Sequence, residues 1–490
     1  METLPQEVEV AIVGAGFGGL GTAISLRRAG IEDFVVLERS DDVGGTWSAN
    51  TYPGCQCDVP SNLYSFSFAR KPDWTHSYPE QPQILDYLHW CAERFDLMPK
   101  VALGAEVLEA AWDEGEMRWR IETARGSLRA RFLVGATGLL SEPSIPPIPG
   151  AEQFAGTTFH SARWDHSHDL RGRRVAVIGT GASAIQIVPR IQAEVEQLYV
   201  LQRTPPWVLP HTDREIGPRL KRLYERVPLA QRLARVGVYW VREVLGAGFL
   251  GFRPVMWVAE AQARIQLWRQ VRDREMRRKL TPTYRLGCKR VLLSDDWYPT
   301  LQEPNVELVT ERLTEIRPHS LAFADGSERE VDTIVWATGF SPTDPPLARR
   351  LRDGSGRTLS EAWRESMRAY LGTTVAGFPN LFLLWGPNTN LAHSSIVFML
   401  EAQIHYLLEA LRTVRGRGVA RVEVRREVED AWNEWLQGEL SESVWNTGGC
   451  ASWYLDSGGN NTIMWPAQTF TFHRRLRRFD PSDYALTPAA

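Results

Sequence analysis

Two short glycine patterns, each set between a β-branched run and a helix-like stretch, limit what this chain can fold into more than any other feature. Val8 to Val13 is the first run, and Gly14, Gly16 and Gly19 follow it as G-x-G-x-x-G ahead of a helix-like stretch to Arg28. Such a run reads as a buried parallel strand. The glycines permit a tight turn and a close backbone approach to a pyrophosphate at a helix N-terminus. A second strand, Phe34 to Leu37, ends at Glu38, whose carboxylate can accept hydrogen bonds from ribose hydroxyls. The pattern recurs with the strand Val175 to Ile178, then Gly179, Gly181 and Ala184, and a helix through Ile191. Thr180, Ser183 and Gln186 lie on this second turn and helix and join its candidate binding set. Its second strand, Leu198 to Gln202, ends at Arg203 and Thr204 instead of an acid. A guanidinium there suits a 2′-phosphate that a carboxylate would repel, so this site is expected to prefer NADPH over NADH. The fold class expected is α/β, with two Rossmann-like dinucleotide-binding domains.

Bulk properties exclude several other classes. The chain has 490 residues, a net charge of -3 and 43% hydrophobic residues, which suits two or three globular domains with real cores. Arginine supplies nearly all the positive charge, lysine occurring only at 71, 100, 221, 279 and 289, and acids balance it; no nucleic-acid partner is expected. Cysteines stand at 55, 57, 91, 288 and 450, and the lone C-x-C of Cys55 and Cys57 supports neither a metal site nor a disulfide framework. A reducing, cytoplasmic setting fits. Glu2, Glu7 and Glu9 make the N-terminus unlike a signal peptide. The most apolar segment, Val236 to Ala259, has a longest charge-free run of Val244 to Phe252. That is far short of the ~20 residues needed to span a bilayer. It reads as a buried or substrate-lining helical region, with peripheral membrane contact as the lesser reading.

Between the two glycine patterns lies Phe154 to Asp165, in which Phe154, Gly156, His160, Trp164 and Asp165 spell F-x-G-x-x-x-H-x-x-x-W-D. This resembles the fingerprint of type I Baeyer–Villiger monooxygenases. A second stretch, with Gly45, Thr46, Trp47, Tyr52, Pro53, Gly54 and Asp58, resembles the same family's G-x-W-x-x-x-x-Y-P-G-x-x-x-D motif. The resemblance implies FAD at the first glycine site and NADPH at the second. It also implies an enzyme that uses NADPH and O2, through a flavin peroxide, to convert a hydrophobic ketone to an ester or lactone. Two strands ending in Ala-Thr-Gly, Phe132 to Gly138 and Asp332 to Phe340, resemble the places where such chains cross between nucleotide domains. Pro143 to Pro149 then reads as the first crossover and Ser341 to Pro346 as the return. The division that follows is an FAD domain from 1–149 and 343–490, an NADPH domain from 150–208 and 285–342, and an Arg-rich helical insertion over 209–284.

The same resemblance assigns roles. Trp47 covers the flavin with Tyr64 nearby, and Val107 and Asn388 belong to the FAD set. Lys289 meets the NADPH phosphate, and Arg290 stands over the flavin with Asp58 projecting toward its reacting edge. Arg290 and Asp58 are the expected catalytic residues. A guanidinium stays protonated and offers several fixed donors to an anionic oxygen nucleophile and to the alkoxide its attack creates. Asp58 can hold it by a charge-assisted hydrogen bond. His160 reads as an interdomain hinge or hydrogen-bonding element near the crossover. The helix after Leu391 to Ser395 presents its N-terminus to a reduced flavin, His393 is as readily structural as functional, and Thr447 to Tyr454 reads as a mobile covering loop. The alternative is a related flavin monooxygenase acting on sulfur or nitrogen, which does not require the Arg290–Asp58 arrangement. A disulfide reductase is disfavoured because no C-x-x-C follows the first helix.

Overall fold

The computed structural model describes residues 3–489, so Glu2 of the acidic N-terminus lies outside the described residues. The first glycine pattern sits where a parallel strand turns into a helix. Strand β1 (Glu7–Val13) leads into helix α1 (Phe17–Arg28), and β2 (Phe34–Leu37) returns beside β1 in parallel. Two helices, the one-turn α2 (Thr46–Ala49) and the longer α3 (Gln81–Arg94), precede β3 (Val101–Ala102), β4 (Val107–Asp113), β5 (Arg118–Thr123) and β6 (Gly126–Gly135). The first half of the long β6 pairs antiparallel with β5, whereas its residues 129–135 run parallel to β1.

The second sheet begins with β7 (Thr157–His160) and β8 (Arg174–Ile178), followed by α4 (Ala182–Ile191) and β9 (Gln197–Leu201). A short strand, β10 (Val208–Leu209), leads to four helices: α5 (Pro218–Arg226), α6 (Pro228–Phe249), α7 (Arg253–Gln270) and α8 (Arg274–Lys279). Then β11 (Leu292–Leu293) pairs with β10, and β12 (Val306–Val309) joins the edge of the sheet at β9. A hairpin region of β13 (Leu313–Arg317), β14 (Ser320–Phe323) and β15 (Glu328–Glu330) precedes β16 (Thr333–Trp336), giving the parallel order β12-β9-β8-β16-β7. The chain then returns to the first sheet, where β17 (Leu351–Arg352) pairs with β4 and β18 (Leu381–Leu383) with the second half of β6. Helix Ile396–Gly416 packs on α1.

The two connections between the sheets lie against each other. Pro143 bridges to Phe340, Ser144 N–H donates to the Gly339 carbonyl at 2.9 Å, and the Thr338 hydroxyl donates to the Ser144 carbonyl at 2.5 Å. No helix among the described residues is long and apolar enough to cross a membrane. The segment around Val236 to Ala259 is not buried, however. Helix α6 turns Gln231, Arg235 and Glu243 inward and leaves Leu233, Trp240 and Val241 exposed.

Candidate active site

A cavity of about 470 Å³ opens between the two sheets, and Gly14, Gly16, Glu38, Thr46, Trp47, Asp58, Tyr64, Val107, Ser183, Gln186 and Arg290 all line it. At its floor the three glycines of the first pattern do different work. Gly14 has φ +102°, and a Cβ there would sit 2.8 Å from the Ala136 carbonyl oxygen. A Cβ at Gly19 would fall 1.8 Å from the Gly14 carbonyl oxygen, so only glycine lets α1 close onto β1. At Gly16 a Cβ would meet nothing nearer than Gly45 Cα at 3.6 Å and would stand in the space above the helix N-terminus. That is a cradle a side chain would fill, and it fits a pyrophosphate. Glu38 accepts the Ala15 and Ser40 amides at 2.7 and 2.9 Å, which fixes its carboxylate at the end of β2. Trp47 Nε1–H donates to the Tyr64 hydroxyl at 3.1 Å, and the two rings form one wall of the cavity.

The second glycine turn is built alike. Gly179 has φ +115°, with a Cβ position 2.4 Å from the Ala337 carbonyl oxygen, while a Cβ at Gly181 would meet nothing within 4 Å. Thr180 donates to the Thr204 carbonyl at 3.2 Å, and Lys289 Nζ donates to the Thr204 hydroxyl at 3.3 Å. Burial, with Arg203 beside it, lowers the Lys289 pKa. Arg203 faces a separate pocket of about 280 Å³ that it shares with Arg278 and Lys279. Those two cations at the end of α8 carry no motif; their place beside Arg203 comes from the fold alone. Gln186 joins the sheets, accepting from the Tyr52 hydroxyl at 3.0 Å and donating to the Gln56 carbonyl at 3.0 Å.

Arg290 and Asp58 meet in the cavity across 232 residues of sequence. Nε donates to Oδ2 at 2.7 Å and Nη2 to Oδ1 at 2.6 Å, a bidentate fork. Both side chains are partly open to the cavity, 44% and 27% of their surfaces, with protein around them. Burial pushes the Asp58 carboxyl up, but the Arg290 guanidinium, its hydrogen bonds and Arg242 beyond it outweigh that and hold it below the usual range. Asp58 in turn raises the Arg290 pKa further. Arg242 of α6, which no motif marks, donates to the Asp58 carbonyl at 3.3 Å and to the Tyr78 hydroxyl at 3.2 Å.

Other singled-out residues lie elsewhere. Asn388 does not reach the cavity: at φ +55° its amide donates to the Asn461 and Met464 carbonyls at 2.6 and 3.1 Å. Asn390, Leu391 and Ser394 line the wall instead, at the start of the helix that Ser395 caps. His160 ends β7 buried, where desolvation lowers its pKa; its Nδ1 accepts the Ala162 amide at 3.1 Å and its ring stands 5.7 Å from Phe340 of the return crossover. Gly156 is required because a Cβ would lie 2.3 Å from the Asp332 carbonyl oxygen and 2.7 Å from the Phe154 ring. Trp164 packs on Phe159 at 5.0 Å, and Asp165 accepts the Ser167 amide at 2.9 Å. His393 is buried against Glu243, with Nε2 3.4 Å from Oε1.

The cysteine reading needs correction. Cys288 and Cys450 form a disulfide, while Cys55, Cys57 and Cys91 are free and buried. A separation of 162 residues carries no local spacing signal, which is why the pair could not be read from sequence. The bond ties the 447–454 loop to the residue before Lys289 and Arg290, so that loop is anchored rather than free. It also brings buried Tyr454 into the electrostatic neighbourhood of Arg290.

Residues 11–234 match the family described as pyridine nucleotide-disulphide oxidoreductase. A Baeyer-Villiger monooxygenase of Streptomyces coelicolor is 48% identical over 100% of this chain and 94% of its own length. The chain belongs to the Baeyer–Villiger monooxygenases. A second family member, from Pseudomonas aeruginosa, is 46% identical over 98% of this chain and 91% of its own. Among solved structures, an oxidized steroid monooxygenase bound to NADP superposes with a TM-score of 0.86 at 30% identity, covering 99% of this chain and 100% of the other. A closed cyclohexanone monooxygenase gives a TM-score of 0.87 at 28% identity, with the same coverage.

Proposed function

We propose that this protein is an FAD-containing, NADPH-dependent Baeyer–Villiger monooxygenase that converts a hydrophobic ketone to an ester or lactone. The observation that carries this reading is the bidentate Arg290–Asp58 pair inside the cavity that joins the two nucleotide cradles. When bound, FAD reduced by NADPH supplies the activated oxygen taken from O2. Gly14, Gly16 and Glu38 hold its pyrophosphate and ribose, and Trp47 and Tyr64 flank it. Arg203, Thr204 and Lys289 hold the NADPH 2′-phosphate, with Arg278 and Lys279 adding positive charge on the far side of Arg203.

Arg290 carries the central role. Nucleophilic oxygen transfer develops negative charge on the ketone oxygen, and fixed donors aimed there stabilise it without reorganisation. Asp58 holds the guanidinium plane and leaves the remaining N–H groups to the cavity. A carboxylate kept below its usual pKa stays ionised through neutral and mildly acidic pH, so the fork persists there.

The first sheet with its returning strands forms the FAD domain (1–149 and 343–490), the second sheet the NADPH domain (150–208 and 285–342), and 209–284 an insertion of helices. The test is NADPH consumption with and without a panel of linear, aryl and polycyclic ketones, with products separated by gas chromatography. Ester or lactone formation matching NADPH use is the expected result. Conversion of thioethers or amines with every ketone inert would replace this reading with heteroatom oxygenation.

A further inference from the structure

Helix α6 is inverted for a helix of a globular protein. As far as Glu243 its buried side is polar and hydrogen-bonded, and only at its end does Phe249 enter the core: Gln231 Nε2 donates to the Lys71 carbonyl at 2.6 Å, and Arg235 Nη1 to the Asn62 and Ser65 carbonyls at 2.9 and 3.0 Å. Glu243 accepts the Thr469 amide at 3.0 Å. Its outward side carries Leu229, Leu233, Val236, Trp240 and Val244, spaced by three or four residues so that they form one stripe. Helix α7, which packs on α6, exposes Trp257 and Trp268, 64% and 65% open, and Phe470 lies beside Trp240. Of the 21 large apolar side chains exposed among the described residues, 15 fall between Leu220 and Trp268. Scattered exposed apolar groups are ordinary, but a concentration of this kind marks an interaction surface.

Charge decides what covers it. Residues 217–272 contain eleven Arg or Lys against three Glu, in a chain whose overall charge is -3. Arg222, Arg226, Arg232, Arg253, Arg269 and Arg272 are all exposed along these helices. A second copy of the chain, related by a twofold axis, would set this positive face against itself. An anionic surface neutralises it. Arginine beside exposed tryptophan and leucine is the composition of a helix lying in a bilayer interface. The helices are interrupted by charge and none spans.

We propose that α5, α6 and α7 dock this enzyme onto the surface of an anionic phospholipid bilayer. Tryptophan and leucine side chains enter the headgroup boundary, and the arginines meet lipid phosphates. The inner side of α6 reaches the cavity, since Arg242 holds the Asp58 carbonyl. Docking therefore sets the cavity close to the phase in which an apolar ketone concentrates. That last consequence rests on the proposed function; the docking itself does not, because its readout is partition rather than turnover.

The test uses the intact flavoprotein with sedimented vesicles of phosphatidylcholine alone or with about one-third phosphatidylglycerol, at low and high salt. Binding is expected on the anionic vesicles, with a blue shift of tryptophan emission, and is expected to fall at least about tenfold on neutral vesicles or in high salt. The triple variant Trp240→Glu, Trp257→Glu, Trp268→Glu should lose binding while keeping its flavin. Arg232→Glu with Arg269→Glu, which leaves the apolar stripe intact, should weaken it at least about fivefold per reversed charge. No partition onto anionic vesicles overturns the proposal. So does light scattering that shows a dimer which the triple variant converts to a monomer, because that assigns the face to a second copy.

Discussion

Replacing Arg290 by alanine removes both donors of the fork to Asp58, at 2.7 and 2.6 Å, and the positive charge that the pair offers the cavity. Two costs follow, and they are separable. For the fold, Asp58 loses the main partner that offsets its desolvation, with only the more distant Arg242 and a backbone hydrogen bond left to oppose burial, so its carboxyl moves up. Water in the cavity reaches both side chains, 44% and 27% open, so screening limits that loss to about 1 kcal/mol. For the reaction, a preorganised anion stabiliser is gone, which costs about 3 kcal/mol or roughly two orders of magnitude in turnover. Arg290→Ala should therefore keep FAD and still oxidise NADPH, releasing hydrogen peroxide, while ketone oxygenation falls at least about a hundredfold. Arg290→Lys should recover little, since a point ammonium cannot reproduce the planar two-donor fork. The assay is parallel measurement of NADPH loss, peroxide and ester, with flavin content and thermal midpoint as controls. A variant that keeps its ester yield would remove Arg290 from the chemistry.

Arg203→Ala should raise KM for NADPH by about one to two orders of magnitude, the loss of one charge-assisted phosphate contact of roughly 1.5–3 kcal/mol, and leave NADH little changed; an unaltered coenzyme preference would refute the 2′-phosphate assignment. Gly16→Val puts branched carbons into the space above the α1 N-terminus and should yield colourless protein that does not take up FAD on incubation. Glu429 is fully buried, and desolvation pushes its pKa up to about 7. A folded-state pKa above the unfolded value of about 4.3 means that stability falls as pH rises between them, and Glu429→Gln should remove that slope and gain about 2–3 kcal/mol at alkaline pH. Parallel melting curves against pH for the two proteins would contradict this. Cys450→Ser, or a dithiol reductant, should release the 447–454 loop without loss of flavin, seen as new limited-proteolysis cuts mapped by mass spectrometry; an unchanged cleavage pattern would show that the disulfide does not anchor the loop.

Backbone constraints were the most legible part of this molecule in its sequence. Gly14, Gly19 and Gly179 are demanded by carbonyl oxygens a few residues away or on the adjoining strand, and strand, glycines and helix follow in one short stretch. The β-branched runs before them place β1 and β8 within a residue or two. Long-range pairing was legible only through family motifs: nothing near Asp58 or Arg290 specifies a partner 232 residues away. Where no motif existed the reading failed. The apolar segment Val236 to Ala259 reads as buried or substrate-lining, with peripheral membrane contact as the lesser reading, but composition does not say which way a face of α6 turns, and Trp240 and Val244 are exposed. The turn at Asn388 sends its amide toward Asn461 instead of the cavity, a choice set by the 461–464 loop far along the chain. Arg278 and Lys279 reach Arg203 because α8 ends there, which composition cannot show.

Oxygen insertion beside a carbonyl is the central claim, and isotope tracing tests it most directly. The holoenzyme would be supplied with NADPH, a hydrophobic ketone and ¹⁸O₂, and the organic product examined by mass spectrometry. The account predicts an ester or lactone carrying a single ¹⁸O in its bridging position, formed in step with NADPH consumption. Labelled hydrogen peroxide with the ketone recovered intact, alongside a labelled sulfoxide when a thioether is offered, would contradict it.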